Sequence, residues 1–221
     1  MRFFFLTALC VAMIFRGPEA ARADTPTFFL GPQISTLGFG GEAGIRFNPF
    51  IAIRGGGNYF ATEFDTEFTD IEYDVDFQLA SAGGVVDIHP LGNGFRLSGG
   101  IRWNGNKADL SAKPNGSIEI GGTTFTAAQV SRIEGNVDFN NFAPYAGLGF
   151  QSGFFGDRVS IAFDVGVLFQ GDPDVDLDAK GSLSNDPNLR RELKEEEDDI
   201  EDDLEFLGFY PVAALTVTVH F

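Results

Sequence analysis

Apolar side chains in this chain recur at every second position over long stretches, the spacing of a strand with one apolar face. Over residues 37–47, Leu37, Phe39, Ala43, Ile45 and Phe47 share one face, and Glu42, Gly44 and Arg46 the other. Over residues 50–60, Ile51, Ile53 and Tyr59 oppose Arg54 and Asn58. Ile71, Tyr73, Val75, Phe77 and Leu79 then alternate with Glu72, Asp74, Asp76 and Gln78. Past Gly83 and Gly84 the phase changes and Val86 and Ile88 become the apolar set, which predicts a β-bulge at the glycine pair. Phe95, Leu97, Ile101 and Trp103 face away from Arg96, Ser98, Arg102 and Asn104. Ala146, Leu148 and Phe150 face away from Tyr145, Gly147 and Gly149. Residues 159–169 continue with Val159, Ile161, Phe163, Val165, Val167 and Phe169 against Ser160 and Asp164, and a last segment runs out through Val217 and Val219 to Phe221.

A soluble sandwich also alternates, but it crowds its polar face with Lys and Glu. Here that face is poor in lysine and rich in Gly, Ser, Asn and Arg. In lipid a charge on the outer face of a barrel costs roughly 2–4 kcal/mol at the midplane for Arg or Lys, so charges belong on the lumen side. Glu42, Arg46, Arg54, Arg96, Arg102 and Asp164 all fall opposite the apolar face. Asp87 is an exception, assigned to the membrane interface because it adjoins the turn at His89. Short connections (Asn48 and Pro49, residues 89–94, residues 153–157) alternate with long polar ones, as short periplasmic turns alternate with outer loops. The expected fold is all-β: an antiparallel transmembrane β-barrel. Seven strands are clear, and bacterial single-chain barrels have an even number. The eighth is expected within residues 25–36, around Phe28, Phe29, Leu30 and Ile34.

The start of the chain reads separately. Arg2, the apolar run at residues 3–15, the break at Gly17 and Pro18, and Ala21-Arg22-Ala23 form the order of a cleavable signal peptide. The expected domains are therefore a signal peptide over 1–23 and a barrel over 24–221. Thirteen apolar residues are too few for a spanning helix, which needs about 18 or more. Cleavage removes Cys10, the one cysteine, so no disulfide is expected in the exported chain. It also takes away a net two positive charges, leaving −19 from −17, a balance that repels nucleic acid.

The pattern resembles the small eight-stranded outer-membrane barrels of Gram-negative bacteria, the class that includes the OmpA transmembrane domain and OmpW. It is most similar to a group of uncharacterised proteobacterial outer-membrane barrel proteins. The resembling residues are Asp87-Ile-His89-Pro90, Ala143-Pro-Tyr-Ala-Gly147-Leu-Gly149, Asp164-Val-Gly166, Phe169-Gln-Gly171, Tyr210-Pro211-Val212 and the terminal Phe221. The resemblance implies residence in the cell outer membrane, with lipid and lipopolysaccharide as surroundings. It also implies that the barrel-assembly machinery reads the last strand and Phe221.

Candidate chemistry is sparse. His89 lies in an expected turn and His220 beside the end, neither with an evident Ser and carboxylate in reach, and no His/Cys metal spacing occurs. The chain is therefore read as no enzyme, with neither catalytic nor cofactor-binding residues. Eight strands enclose a space just wide enough for side chains to fill. The set Glu42, Arg46, Arg54, Arg96, Arg102 and Asp164 accordingly reads as a polar network plugging the lumen, the alternative being the lining of a narrow solute path. One helix is expected in the last outer loop. Asp186 suits its N-cap and Pro187 its first turn, with Leu189, Leu193, Ile200, Leu204 and Leu207 forming a docking seam. Its carboxylates crowd the C-terminal half, against the helix dipole. Glu195, Glu196, Glu197, Asp198 and Asp199 are candidate ligands for a weakly bound Ca²⁺ or Mg²⁺, which favour oxygen donors. The leading function is a structural or surface-interaction barrel; a narrow porin-like channel is second and a lipid-modifying enzyme third.

Overall fold

The alternating segments close on one another. The structure, a computed structural model, describes residues 26–68, 71–114, 116–120, 122–154 and 158–221; the expected signal peptide lies outside them. In chain order the strands are β1 (Thr27–Ser35), β2 (Gly38–Asn48), β3 (Ile51–Phe68), β4 (Ile71–Ile88), β5 (Phe95–Asn104), β6 (Lys107–Pro114), β7 (Ser117–Ile120), β8 (Thr123–Thr126), β9 (Arg132–Asp138), β10 (Phe142–Phe154), β11 (Val159–Phe169), β12 (Asp174–Lys180) and β13 (Phe209–His220). Helix α1 (Pro187–Leu204) precedes β13 and continues as a 3-10 turn over Glu205–Gly208.

Strands β1, β2, β3, β4, β5, β10, β11 and β13 form the barrel, each antiparallel to the next. It closes where β13 returns to β1, His220 opposite Phe29 and Ala214 opposite Ser35. Strand β1 supplies the strand expected near the start, with Phe28, Leu30 and Ile34 outward and Phe29 inward. Outward apolar residues stay exposed all round: Phe39, Ile53, Val86, Leu97, Ile101, Leu148, Phe163 and Leu215 are each more than two-fifths accessible. A water-soluble protein does not leave so continuous a belt uncovered; in lipid it is the solvated surface.

Two expectations about the connections and pleat fail. The first outer connection is only Thr36 and Leu37, and Gly38, with φ 101°, turns Leu37 inward to 1% exposure instead of leaving it beside Phe39. Nor is there a bulge at Gly83 and Gly84, because β4 keeps one unbroken register against β3 from Ile88 to Ile71. The apolar residues change parity because the environment changes. In the lower half of β4 the outer face meets lipid, so Val86 and Ile88 occupy it. In the upper half the same face carries Asp74 and Asp76, while Leu79 points to the other side and is buried.

That upper half belongs to a second structure. Over residues 71–78 β4 leaves β5 and pairs with β6; β9 follows on β6 and β12 on β9. The result is a five-stranded extension, β3-β4-β6-β9-β12, standing on the rim opposite the short turns. One face bears Asp74, Asp76, Asp109, Glu134, Asp176 and Asp178. The other is covered by α1 and the β7–β8 hairpin, through a core of Ile120, Phe125, Val130, Ala179, Leu189 and Leu193.

Candidate functional site

Inward positions of the barrel build a layered lumen. At its centre is Arg54 on β3. Its Nη1 lies 2.8 Å from Glu42 Oε2 on β2, its Nε 2.9 Å from Asp87 Oδ2 on β4, and its Nη2 3.2 Å from Asp164 Oδ1 on β11. Arg96 on β5 takes Asp164 as a fork, Nη2 to Oδ2 at 2.6 Å and Nε to Oδ1 at 3.0 Å. All five side chains are buried. Planar guanidinium groups suit this geometry, since each presents several fixed donors to carboxylates. Asp87 is thus no interfacial exception: it is 1% exposed and also accepts from the Ser98 hydroxyl at 2.5 Å. Gly149 makes the cluster possible, because a Cβ there would collide with Asp164 Oδ1 and crowd Arg96 Nε.

The next layer is uncharged apart from Arg102, whose Nη2 donates to Asn58 Oδ1 at 2.8 Å and Ser81 Oγ at 2.9 Å. Gln33 joins Asn58 to Thr216, accepting from Asn58 at 2.9 Å and donating to Thr216 at 3.0 Å. The space left among these groups is about 30 Å³, room for a water or two. Two of its lining groups, Glu42 Oε1 and Arg102 Nε, have no protein partner, which is what a trapped water satisfies. Above it Leu37, Val85, Ala143, Tyr145, Leu168 and Val212 form an apolar layer across the barrel.

Toward the short turns the lumen opens into a mouth of about 300 Å³, lined by Thr27, Arg46, Gly94, Gln151, Gly153, Ser160 and His220. Arg46 Nη2 lies 3.1 Å from His89 Nε2 and donates to Gln151 Oε1 at 3.4 Å. His89, in the β4–β5 turn, is fully buried, and its Nδ1 meets the Phe95 carbonyl at 3.1 Å. That contact makes Nδ1 the donor and leaves Nε2 to accept from Arg46. Burial, and then the neighbouring Arg46, lower the His89 pKa and keep the ring neutral. Ser160 Oγ lies 2.7 Å from both His220 Nε2 and Thr218 Oγ1, and Gln151 Nε2 donates to it at 2.5 Å. The meeting of Ser160 and His220 was not expected from the sequence. The signal was available, since both are inward on adjacent strands.

On the extension, Asp186 caps α1 by accepting from the Asn188 and Leu189 amides, and Pro187 occupies the first turn, as the sequence indicated. The five carboxylates singled out as cation ligands do not converge. Glu195 lies 3.8 Å from Arg191, and Asp198 3.1 Å from Lys194. Glu197 Oε1 accepts from the Leu177 amide at 2.8 Å, and Glu201 Oε1 from the Val175 amide at 3.1 Å. Among the described residues no three His, Cys, Asp or Glu side chains are grouped to hold a metal ion. On the acidic face the Asp109 carboxylate is held below its usual range, first by a hydrogen bond from Lys107, and Lys107 is raised by the same bond.

No protein-family model matches the chain, and no curated protein matches it. Among solved structures it is similar to CarO2 of Acinetobacter baumannii, with 24% identity and a TM-score of 0.61 over 90% of this chain and all of that one. It is similar to CarO of the same organism at 22% identity and a TM-score of 0.59, covering 87% of this chain and 97% of that one. A fainter likeness, 12% identity and a TM-score of 0.41, links 90% of it to the whole of a major outer membrane protein from Thermus thermophilus. What the chain shares with the two Acinetobacter structures is the fold, a closed eight-stranded antiparallel barrel of the small outer-membrane kind.

Proposed function

We propose that this outer-membrane barrel is a non-catalytic, non-conducting anchor that holds a rigid five-stranded sheet at the cell surface as an interaction platform. The observation that carries the reading is the Arg54 cluster. One guanidinium bound to Glu42, Asp87 and Asp164, with Arg96 locking Asp164 from the other side, ties β2, β3, β4, β5 and β11 together across the lumen. An ion path would need mobile water where these groups sit, and the space beside them is about 30 Å³. The apolar layer around Leu37 and Tyr145 adds a dry barrier.

The platform reading rests on the extension. It has its own buried core under α1, and it rises from the rim opposite the short turns, the end that faces outward when the short turns are periplasmic. Planar-bilayer recording tests the proposal. Purified protein, confirmed as folded by its heat-modifiable migration, gives no resolved unitary conductance. Reproducible single-channel steps from wild-type protein overturn it in favour of a narrow solute channel.

A further inference from the structure

The lumen charges do not cancel. Among the described inward residues of the barrel strands, three carboxylates, Glu42, Asp87 and Asp164, face four guanidinium groups, Arg46, Arg54, Arg96 and Arg102. Arg54 and Arg96 take all three carboxylates. Arg102 is answered by neutral oxygens inside the sealed layer. Arg46 is left at the mouth, and its hydrogen-bond partners, the His89 ring and the Gln151 carbonyl, are both uncharged. Asp87 attracts Arg46 only through space and is itself held by Arg54 and Ser98; a half-buried cation whose direct hydrogen-bond partners are all neutral keeps an attraction for an anion.

The surroundings have the form of a site. The mouth cavity of about 300 Å³ sits at the small end of ligand pockets, which run from about 300 to 1,000 Å³. Gly94 and Gly153 put no side chain into it. Gln151 turns its carbonyl to Arg46 and Arg96 and its amide to Ser160, so the fork of Arg46 is held in place from one side. Ser160 adds a hydroxyl and His220 an imidazole to the same wall. All these groups lie inside the barrel mouth and not on its apolar outer wall. The ligand is therefore soluble and small, not the headgroup of a lipid anchored in the bilayer.

We propose that the short-turn mouth binds a small soluble oxyanion of the phosphate type, with Arg46 as its principal ligand. A guanidinium fork matches two oxygens of such an anion, while Ser160 and His220, hydrogen-bonded to each other and to Gln151, keep the wall beside it polar. The site needs no open lumen, so it stands whether or not the barrel conducts.

Calorimetric titration of inorganic phosphate into the full chain in detergent micelles, at constant ionic strength made up with chloride, tests it. Wild type and Arg102→Gln, which alters the other carboxylate-free arginine, bind saturably. Arg46→Gln binds at least about tenfold more weakly, the loss expected for one charge-assisted hydrogen-bonding group. Arg46→Lys, which keeps the charge and loses the fork, falls between them and serves as the informative variant if Arg46→Gln misfolds. No saturable heat from the wild type, or equal affinity in wild type and the Arg46 variants, overturns the proposal.

Discussion

Arg54 stands where three carboxylates would otherwise face one another. Replacing it with Met keeps bulk but leaves Glu42, Asp87 and Asp164 buried with only Arg96 to answer them. Removing one partner of a buried charge cluster costs about 3–5 kcal/mol, so Arg54→Met lowers the urea midpoint of vesicle-inserted protein far more than a lipid-facing Leu148→Ile change. An unshifted midpoint contradicts the cluster. Gly149→Val tests the same layer without touching a charge. Its side chain has no room beside Asp164 and Arg96, and overpacking of this kind costs about 1–3 kcal/mol; a variant as stable as wild type by the same measurement contradicts the geometry. Most lumen residues could be read from parity alone, because lipid forbids charge on the other face. Asp87 was obscured, although Val86 and Ile88 flank it on the outward face and so place it inward: Leu79, farther along the strand, shares its parity, and only the structure reveals that Leu79 lies above the lipid, where the inward side is the apolar one.

At the scale of elements, α1 places its carboxylates against its own dipole, and the geometry gives two of them a purpose. β12 is the last strand of the extension and would leave an open edge, which invites pairing with foreign strands. Glu197 and Glu201 occupy the Leu177 and Val175 amides of that edge. Replacing both with Ala loses about 1 kcal/mol per bond. Hydrogen exchange then quickens at Val175 and Leu177 and spreads into β9, while β1 and β13 stay protected. Unchanged exchange at those two amides refutes the role. The helix itself was legible, since an Asp-Pro start and a leucine seam are local signals. The strands β6, β9 and β12 were not. Asp174 to Lys180 alternates acid with Val175, Leu177 and Ala179, and so many charges read as a solvated loop until a helix is known to cover the apolar side.

For the molecule as a whole, the barrel was readable and the sheet that extends it was not, for one reason. Lipid imposes a strict rule on every outward residue, whereas water outside tolerates charge nearly anywhere and leaves a weaker pattern. The two parts nonetheless share one component. The β3–β4 hairpin keeps an unshifted ladder from Ile51 and Ile88 to Phe68 and Ile71, eighteen residues per strand. At about 3.3 Å per residue that is roughly 60 Å along the strand, against an apolar band about 25 Å tall. It behaves as a mast stepped through the deck. A pull along it strains many rungs in parallel, so it resists as a stiff beam and does not peel open one rung at a time, and the load arrives at the Arg54 cluster at its foot. Single-molecule pulling from a handle at Glu63→Cys therefore extracts β3 in one abrupt event; a staircase of small yields beginning at the outer half shows a mast that bends. With such stiffness, whatever seizes the platform outside tugs on the salt bridges inside the wall.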